Sequence, residues 1–455
     1  MDQQVNQSGH LSHGYRQLDR QSLWHPYTRF SEILNEPFPV IVRGDGVYLF
    51  DAEGRRYFDA IASWWCCNLG HSHPRLVAAI RQQVKVLQHS ILGNMSHPCA
   101  IELAGRLRNL LLAAGGEYRA FFASDGASAV EAALKIAVQY WYNRGRSGKI
   151  RFCALKEAYH GDTLAAVSLG YLETFHRPFR DVVFDVFRID PPRCTCCAYG
   201  GTLQECSLDC IQPLESLLER HAGNLAAVIL EPIFQGAAGM WVYRAEYLRR
   251  VSELCRVHDV LLIVDEIASG FGRTGKMFAF EHAGVVPDII CLGKGLTAGT
   301  LPMSATMVRE EIFATFSDKP RDCTFYHGHT FCGNPVAAAA ACAALDVYQK
   351  DDIPGMAART GRQLQQEGER FRKHPLVEDV RGIGMMWAIQ LRSFGGRRGD
   401  VLARQLRRLA WERGLLIRPL GPVVYLMPPL ITPYTVLAKA LNEIEEILDL
   451  LVPVS

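Results

Sequence analysis

Apolar residues along this chain fall into two kinds of run. Short continuous runs bounded by acids, glycines or prolines read as buried strands: Leu225 to Glu231, Leu261 to Val264 and Ile289 to Leu292. Residues spaced three and four apart read as amphipathic helices. After Pro74 these are Leu76, Ile80, Val84 and Leu87, and a second helix runs from about Pro98 to Leu112. The stretch AFFASDGASAV, from Ala120, reads as strand, small-residue loop and helix. Strands alternating with helices from about residue 115 to 310 predict an α/β domain around a mainly parallel sheet.

The two ends read differently. Residues 39–60 carry Gly-Asp-Gly and Ala-Glu-Gly between short apolar runs, the signature of antiparallel hairpins. Beyond about residue 350, arginine- and glutamine-rich helices alternate with short strands such as MMWAIQL and VVYLMP, predicting a smaller α+β domain. The expected division is a segment 1–72 that joins the small domain, a large domain 73–345 and a small domain 346–455. In residues 21–30, Trp24, Tyr27 and Phe30 suggest a segment pinned by aromatic burial, behind a short loose polar tail. Trp64 and Trp65 are adjacent; on an extended strand one would face the core and the other a pocket.

Length and composition narrow the class. At 455 residues, with 49% apolar and 21% charged residues, the chain suits a soluble globular protein of two domains or more. A net charge of +2 without a basic block gives nucleic-acid binding no electrostatic support. No apolar run reaches a membrane span, and the polar N-terminus lacks a signal-peptide core, so a cytoplasmic protein is expected. Of 14 cysteines, most lie in apolar runs, but Cys194, Cys196, Cys197, Cys206 and Cys210 cluster. They read either as a metal site or as a loop of reduced thiols. His327 and His329 form a second possible metal pair, with no third ligand nearby in sequence. No resident metal is expected.

The chemistry gathers where the strands end. In a parallel sheet the carboxyl ends of strands open onto one crevice. The run at 261–264 delivers Asp265 and Glu266, and the run at 289–292 delivers Gly293-Lys294-Gly295. A lysine forms a Schiff base with an aldehyde cofactor, and an acid facing a pyridine nitrogen keeps the ring an electron sink. Ser124-Asp125-Gly126-Ala127-Ser128, opening a helix, has the form of a phosphate cup, though serine and aspartate are also ordinary helix caps. Tyr159 could stack on a flat ring, and His160 and Asp162 either do acid–base work or shape a turn. Arg418, among apolar neighbours, wants an anion: a substrate carboxylate or a structural acid. A rival motif, Gly270-x-x-x-x-Gly275-Lys276, matches a P-loop, but Met277 stands where serine or threonine is needed and no strand immediately precedes it.

The run D-E-x-x-x-G-F-G-R-T-G-K followed by P-D-I-x-x-x-G-K-G resembles the class III aminotransferases, the fold-type I group dependent on pyridoxal phosphate, and the resemblance covers nearly the whole chain. It implies a fold-type I architecture whose smaller domain is built from both chain ends. It also implies that Lys294 carries the cofactor, Asp265 pairs with the pyridine nitrogen, Tyr159 stacks on the ring, and Gly126 and Ala127 offer N–H groups to the phosphate. W-H-P-Y-T, S-W-W, A-Y-H-G-D-T and I-R-P-L-G with Y-L-M-P-P resemble the biotin-pathway branch of the class, which aminates 8-amino-7-oxononanoate.

Carried over by position, Tyr27 and Trp64 contact that substrate, and Arg418 binds its carboxylate. Gly328 touches substrate while His329 and Thr330 close the phosphate site from a second subunit, so a homodimer is implied. Ala127 replaces a common hydroxyl residue, some members have proline at His329, and the cysteine insertion departs from the generic pattern. Gln235-Gly-Ala237 and Tyr425 stand where many members have a glutamate–arginine switch, which is consistent with an unusual amino donor and makes Tyr425 a donor-site residue. S-adenosylmethionine and lysine both stay open as donor. An ω-amino acid:pyruvate aminotransferase and a non-catalytic cofactor-binding scaffold are the competing readings.

Overall fold

The computed structural model describes residues 14–35, 38–200, 205–318 and 321–452. Its centre is a seven-stranded sheet. In chain order its strands are β4 (Tyr118–Ala123), β5 (Arg151–Leu155), β6 (Phe187–Ile189), β7 (Leu225–Leu230), β10 (Leu261–Asp265), β11 (Ile289–Leu292) and β12 (Ser304–Arg309). They lie side by side in the order β4-β12-β11-β10-β7-β5-β6. The run from β11 to β6 is parallel, and only β12 runs against its neighbours.

Both faces of this sheet are covered, which is why its strands read as unbroken apolar runs. Leu261, Ile263, Ile289 and Cys291 pack with the helix Gly126–Asn143. Leu262, Val264, Ile290 and Leu292 point the other way into the main core. The same alternation sets Asp265 on the face of Leu261 and Ile263, toward the start of that helix.

The chain ends build smaller sheets. β1 (Ile41–Asp45), β2 (Tyr48–Asp51) and β3 (Arg56–Asp59) form the expected antiparallel hairpins. β15 (Leu415–Leu416), from far along the chain, joins β3 in parallel. β13 (Val377–Ile383), β14 (Met386–Leu391) and β16 (Val423–Leu426) form an antiparallel sheet. The short pair β8 (Phe234–Gln235) and β9 (Trp241–Val242) lies next in sequence to β7. The helices expected after Pro74 and Pro98 run Pro74–Val86 and Pro98–Ala113. No helix among the described residues is long and apolar enough to cross a membrane.

Three local expectations change. Residues 14–22 are helical, while residues 1–13 of the polar tail lie outside the described part. The aromatic segment is not pinned by burial: Trp24 is 96% exposed and Phe30 70% exposed. Tyr27 alone turns inward to aromatic partners, Trp64 and Phe175. The Trp64-Trp65 stretch is no strand, because Ala62, Ser63, Trp64 and Trp65 all have positive φ, of 45°, 47°, 89° and 71°. Left-handed backbone costs an L-residue on the order of 1–2 kcal/mol, so this turn persists only because its surroundings fix it.

Candidate active site

Two adjoining cavities meet at Lys294. The inner one, about 500 Å³, is lined by Trp65, Gly126, Ala127, Tyr159, Asp265 and Lys294 among others. The outer one, about 1080 Å³, runs from Lys294 and Trp65 past Tyr27, Trp64, Tyr159 and Asp162 to Arg418. The strand-end lysine and acid, the helix start, the two aromatic residues and the arginine therefore border one continuous space. Gly328, His329 and Thr330 line neither cavity in this protomer. Tyr425 stands one layer back, where its hydroxyl accepts the Trp65 indole N–H at 3.1 Å.

Lys294 follows β11 directly and has a positive φ of 39°, which turns the chain sharply between Gly293 and Gly295. It is half-buried, and its amine makes no hydrogen bond among the described residues. Loss of solvent lowers its pKa, with the Arg273 charge acting in the same direction and Asp265 opposing it. Its Nζ sits 4.8 Å from the Trp65 ring centre. This is a lysine whose surroundings favour the neutral, nucleophilic amine.

Asp265 ends β10, almost fully buried. Its Oδ1 accepts the Ile267 N–H at 3.1 Å, and its Oδ2 accepts from His160 Nδ1 at 2.7 Å. His160 Nε2 has no partner among the described residues, although it is buried. Beneath them lies Glu231, which accepts the N–H groups of Tyr159 (3.2 Å) and Gly236 (2.9 Å). Burial pushes the Glu231 carboxyl up to about 7, against the lowering pull of His160.

At the other end of the inner cavity, Asp125 caps the helix Gly126–Asn143 by accepting the Ser128 N–H at 2.9 Å. The first-turn N–H groups of Gly126 and Ala127 have no intrahelical carbonyl to bind. A side chain at Gly126 would bring a Cβ within 2.9 Å of Ile267 Cδ1, so the loop lies close against that side chain. Ser128 does not replace the missing hydroxyl at Ala127: its Oγ donates to Asp125 Oδ2 at 3.0 Å. A helix start for an anion, a buried acid opposite, a free lysine amine and a tyrosine on the wall together fit pyridoxal phosphate.

The outer cavity has a different character. Tyr27 and Tyr159 both donate their hydroxyls to Asp162, the Tyr159 bond being 2.8 Å. Loss of solvent and then the Asp162 charge push the Tyr27 phenol up to about 12. The Arg418 guanidinium lies 4.3 Å from the Trp64 ring centre and donates to the Tyr27 carbonyl at 3.2 Å. It has no acidic partner among the described residues.

The rival P-loop motif falls away on geometry. In the GxxxxGK stretch the N–H groups of Gly270, Gly272 and Gly275 are spent on carbonyls of the same turn. Its Arg273 is buried, donating to the carbonyls of Met385 (3.1 Å) and Pro428 (2.6 Å) and to Asn68 Oδ1 (2.9 Å). It ties its loop to three other segments and cradles no phosphate. Cys194, Cys196, Cys197, Cys206 and Cys210 border a separate cavity, and all are free thiols. No group of three ligands able to hold a metal ion occurs among the described residues, at the thiols or at His327 and His329.

Sequence reasoning left several neighbours of the site unassigned. His160 and Asp162 were visible in A-Y-H-G-D-T, but the acceptor of His160, Asp265, and one donor to Asp162, Tyr27, are distant in sequence. Trp65 was assigned no role, yet its ring faces the lysine amine. Glu231 carried no signal beyond ending a strand.

Comparison with known proteins agrees with this geometry. The model of the family described as aminotransferase class-III matches residues 32–448. The adenosylmethionine-8-amino-7-oxononanoate aminotransferase of Geobacter sulfurreducens is 39% identical over 422 residues, covering 91% of this chain and 93% of that protein. A Methanocaldococcus jannaschii protein of the same description is 36% identical over 433 residues, covering 90% and 93%. The crystal structure of the adenosylmethionine-8-amino-7-oxononanoate aminotransferase from M. jannaschii superposes with a TM-score of 0.89 at 34% identity, covering 96% of this chain and 98% of that one. A PLP-bound amine transaminase from an uncultivated Pseudomonas species gives 0.89 at 33%, covering 94% and 98%. The chain belongs to the class III aminotransferases, enzymes that work with pyridoxal phosphate.

Proposed function

We propose that this aminotransferase converts 8-amino-7-oxononanoate to 7,8-diaminononanoate, the amination step of biotin synthesis, with S-adenosylmethionine as amino donor. The observation that carries the reading is Arg418, a cation with no acidic partner among the described residues, on the wall of the cavity that begins at Lys294. A long amino ketone ending in a carboxylate matches that polarity. Relatives named for this reaction, 34–40% identical over most of the chain, support it.

Pyridoxal phosphate, when bound, supplies an electron sink for the carbon that gains or loses nitrogen. Lys294 holds it, and its amine, kept readily neutral by burial, takes the proton at the substrate's amine-bearing carbon. Asp265, oriented by His160, balances the ring charge. Tyr159 covers the ring, and Gly126 and Ala127 bind the phosphate. Tyr27 and Trp64 contact the amino ketone, and Arg418 fixes its carboxylate. Tyr425 acts on the donor side through Trp65. Gly328, His329 and Thr330 complete the site of a second subunit in a homodimer, in keeping with their absence from the cavities of their own chain. Residues 73–345 form the cofactor domain, and 1–72 with 346–455 form the smaller one.

The test is spectral. S-adenosylmethionine should bleach the visible band of the bound cofactor, and 8-amino-7-oxononanoate should restore it. Bleaching by lysine instead would change the donor and keep the acceptor. No recovery with the amino ketone would refute the acceptor.

A further inference from the structure

The left-handed turn at residues 62–65 sets two walls of the cavity at once. Trp65 faces the lysine amine, and Trp64 carries Arg418 on its ring. Four successive L-residues in the left-handed region do not hold this shape unaided.

What holds it is Asp59, the last residue of β3, whose side chain is fully buried. Its Oδ1 accepts the N–H of Ser63 at 3.0 Å and that of Ile61 at 3.4 Å. Its Oδ2 accepts the Ser63 hydroxyl at 2.7 Å and His71 Nε2–H at 2.9 Å. His71 is itself anchored, trading backbone hydrogen bonds with Gly46 at 2.7 and 3.1 Å. A side chain on Gly44 would come within 2.6 Å of the His71 Cβ, so the ring has a glycine bed. Asp59 lines neither cavity, and its work is done through Ser63.

The two tryptophans do not depend on the turn equally. Trp65 is 5% exposed, bonded to Tyr425 and packed with Phe234, Met386 and Val423. Trp64 is 37% exposed and meets two pocket residues, Tyr27 edge-on at 5.7 Å and the Arg418 guanidinium. Loosening the turn therefore frees Trp64 first, and with it the seat of Arg418.

We infer that Asp59 is a positioning residue for the carboxylate end of the substrate: with His71 it locks Ser63, which fixes Trp64 beneath Arg418. The inference rests on Arg418 being the carboxylate site.

The experiment uses the holoenzyme and two probes. Nonanoate, which has the carboxylate and chain but no reacting group, is titrated by calorimetry. Hexylamine, which lacks the carboxylate, is followed by loss of the cofactor's visible band. Asp59→Ala should weaken nonanoate about tenfold or more, and Ser63→Ala about threefold, the loss of one or two hydrogen bonds' worth of orientation. Asp59→Asn, which still accepts the Ser63 N–H, should fall between wild type and Asp59→Ala. The hexylamine rate should stay within about twofold of wild type, because Trp65 keeps its own anchors. Ser63 is exposed, so Ser63→Ala carries the test if Asp59→Ala does not fold.

Equal losses for both probes, or none for nonanoate, would make Asp59 a purely structural residue and overturn the inference. Arg418→Ala separates the two layers. Nonanoate bound equally by wild type and Arg418→Ala would refute the carboxylate reading itself. Nonanoate lost in Arg418→Ala but unchanged in Asp59→Ala and Ser63→Ala would refute only the positioning role.

Discussion

Tyr27 and Asp162 lie 135 residues apart in sequence, and the phenol of one donates to the carboxylate of the other at the mouth of the cavity. Tyr159 donates to the same carboxylate, so Asp162 clamps a wall residue to a residue of the N-terminal segment. Tyr27→Phe deletes one bond and leaves the other. Asp162 is half-exposed, so the freed oxygen can take water instead. The expected result is a rise of about fivefold to tenfold in the KM of the ketone substrate, near 1 kcal/mol, with a smaller change in kcat. Steady-state kinetics on the variant check it. Because the phenol is held up to about 12, the Tyr27 contribution to KM should stay constant through pH 10, where a free tyrosine ionises.

Lys294→Ala should reduce turnover at least about a thousandfold, since it removes both the cofactor's anchor and the proton carrier. The helix start and Asp265 remain, so the variant should still retain pyridoxal phosphate through repeated gel filtration, without a covalent bond to the protein. Mass spectrometry after borohydride reduction distinguishes the two states. Wild type gains the cofactor's mass, and the variant does not.

Arg418→Ala should cost the ketone substrate roughly 10- to 100-fold in kcat/KM, the range for a lost charge-assisted hydrogen bond. It should leave Tm within a few degrees of wild type, because no acidic partner among the described residues is stranded by the change. A large fall in Tm would instead mean that the arginine is structural.

Glu231 links the site to pH. Its carboxyl is raised from 4.5 to about 7, so the folded chain holds a proton that the unfolded chain has already released. Its contribution to stability is therefore fully present below about pH 4.5 and is lost as pH rises toward 7, by up to about 3 kcal/mol. Glu231→Gln should flatten the dependence of Tm on pH between 4.5 and 7. Glu266, raised for the same reason of burial, should keep part of the slope. Thermal unfolding across that range is the measurement.

Gly161 makes a steric prediction. It has a φ of 123°, and a Cβ there would stand 2.4 Å from the Cβ of Ala127. Gly161→Ala should push the phosphate loop outward. The expected signature is weaker pyridoxal phosphate binding, with a stability loss of about 1–3 kcal/mol, read by cofactor titration and thermal unfolding.

The parts of this site that were legible in sequence are those fixed by periodicity. Leu261, Ile263 and Asp265 alternate out of a buried strand, and Ile289 to Leu292 deliver Lys294 the same way, so an acid and an amine at one crevice followed from the pattern. The parts that were not legible depend on contacts between distant segments. A left-handed turn of Ala-Ser-Trp-Trp has no local signal, since its residues favour other backbone regions and Asp59 overrides them. The aromatic spacing of Trp24, Tyr27 and Phe30 suggested burial, but in the structure only Tyr27 turns inward. His160 read as either an acid–base residue or a turn residue, because its hydrogen-bond partner Asp265 lies 105 positions later.

The two-residue strand β15 lies against β3, although more than 350 positions separate them. A chain emerging from the ribosome therefore makes β3 long before its neighbour exists. Until Leu416 is out, one edge of the hairpin sheet offers unpaired N–H and carbonyl groups to any passing strand. Arg418 arrives two residues after that edge is closed, so the last act of sealing the sheet also delivers one of the six arginines that line the outer cavity. A nascent chain cut short before residue 415 would possess Lys294, Asp265 and the helix start at Gly126, and would still carry an open, sticky edge.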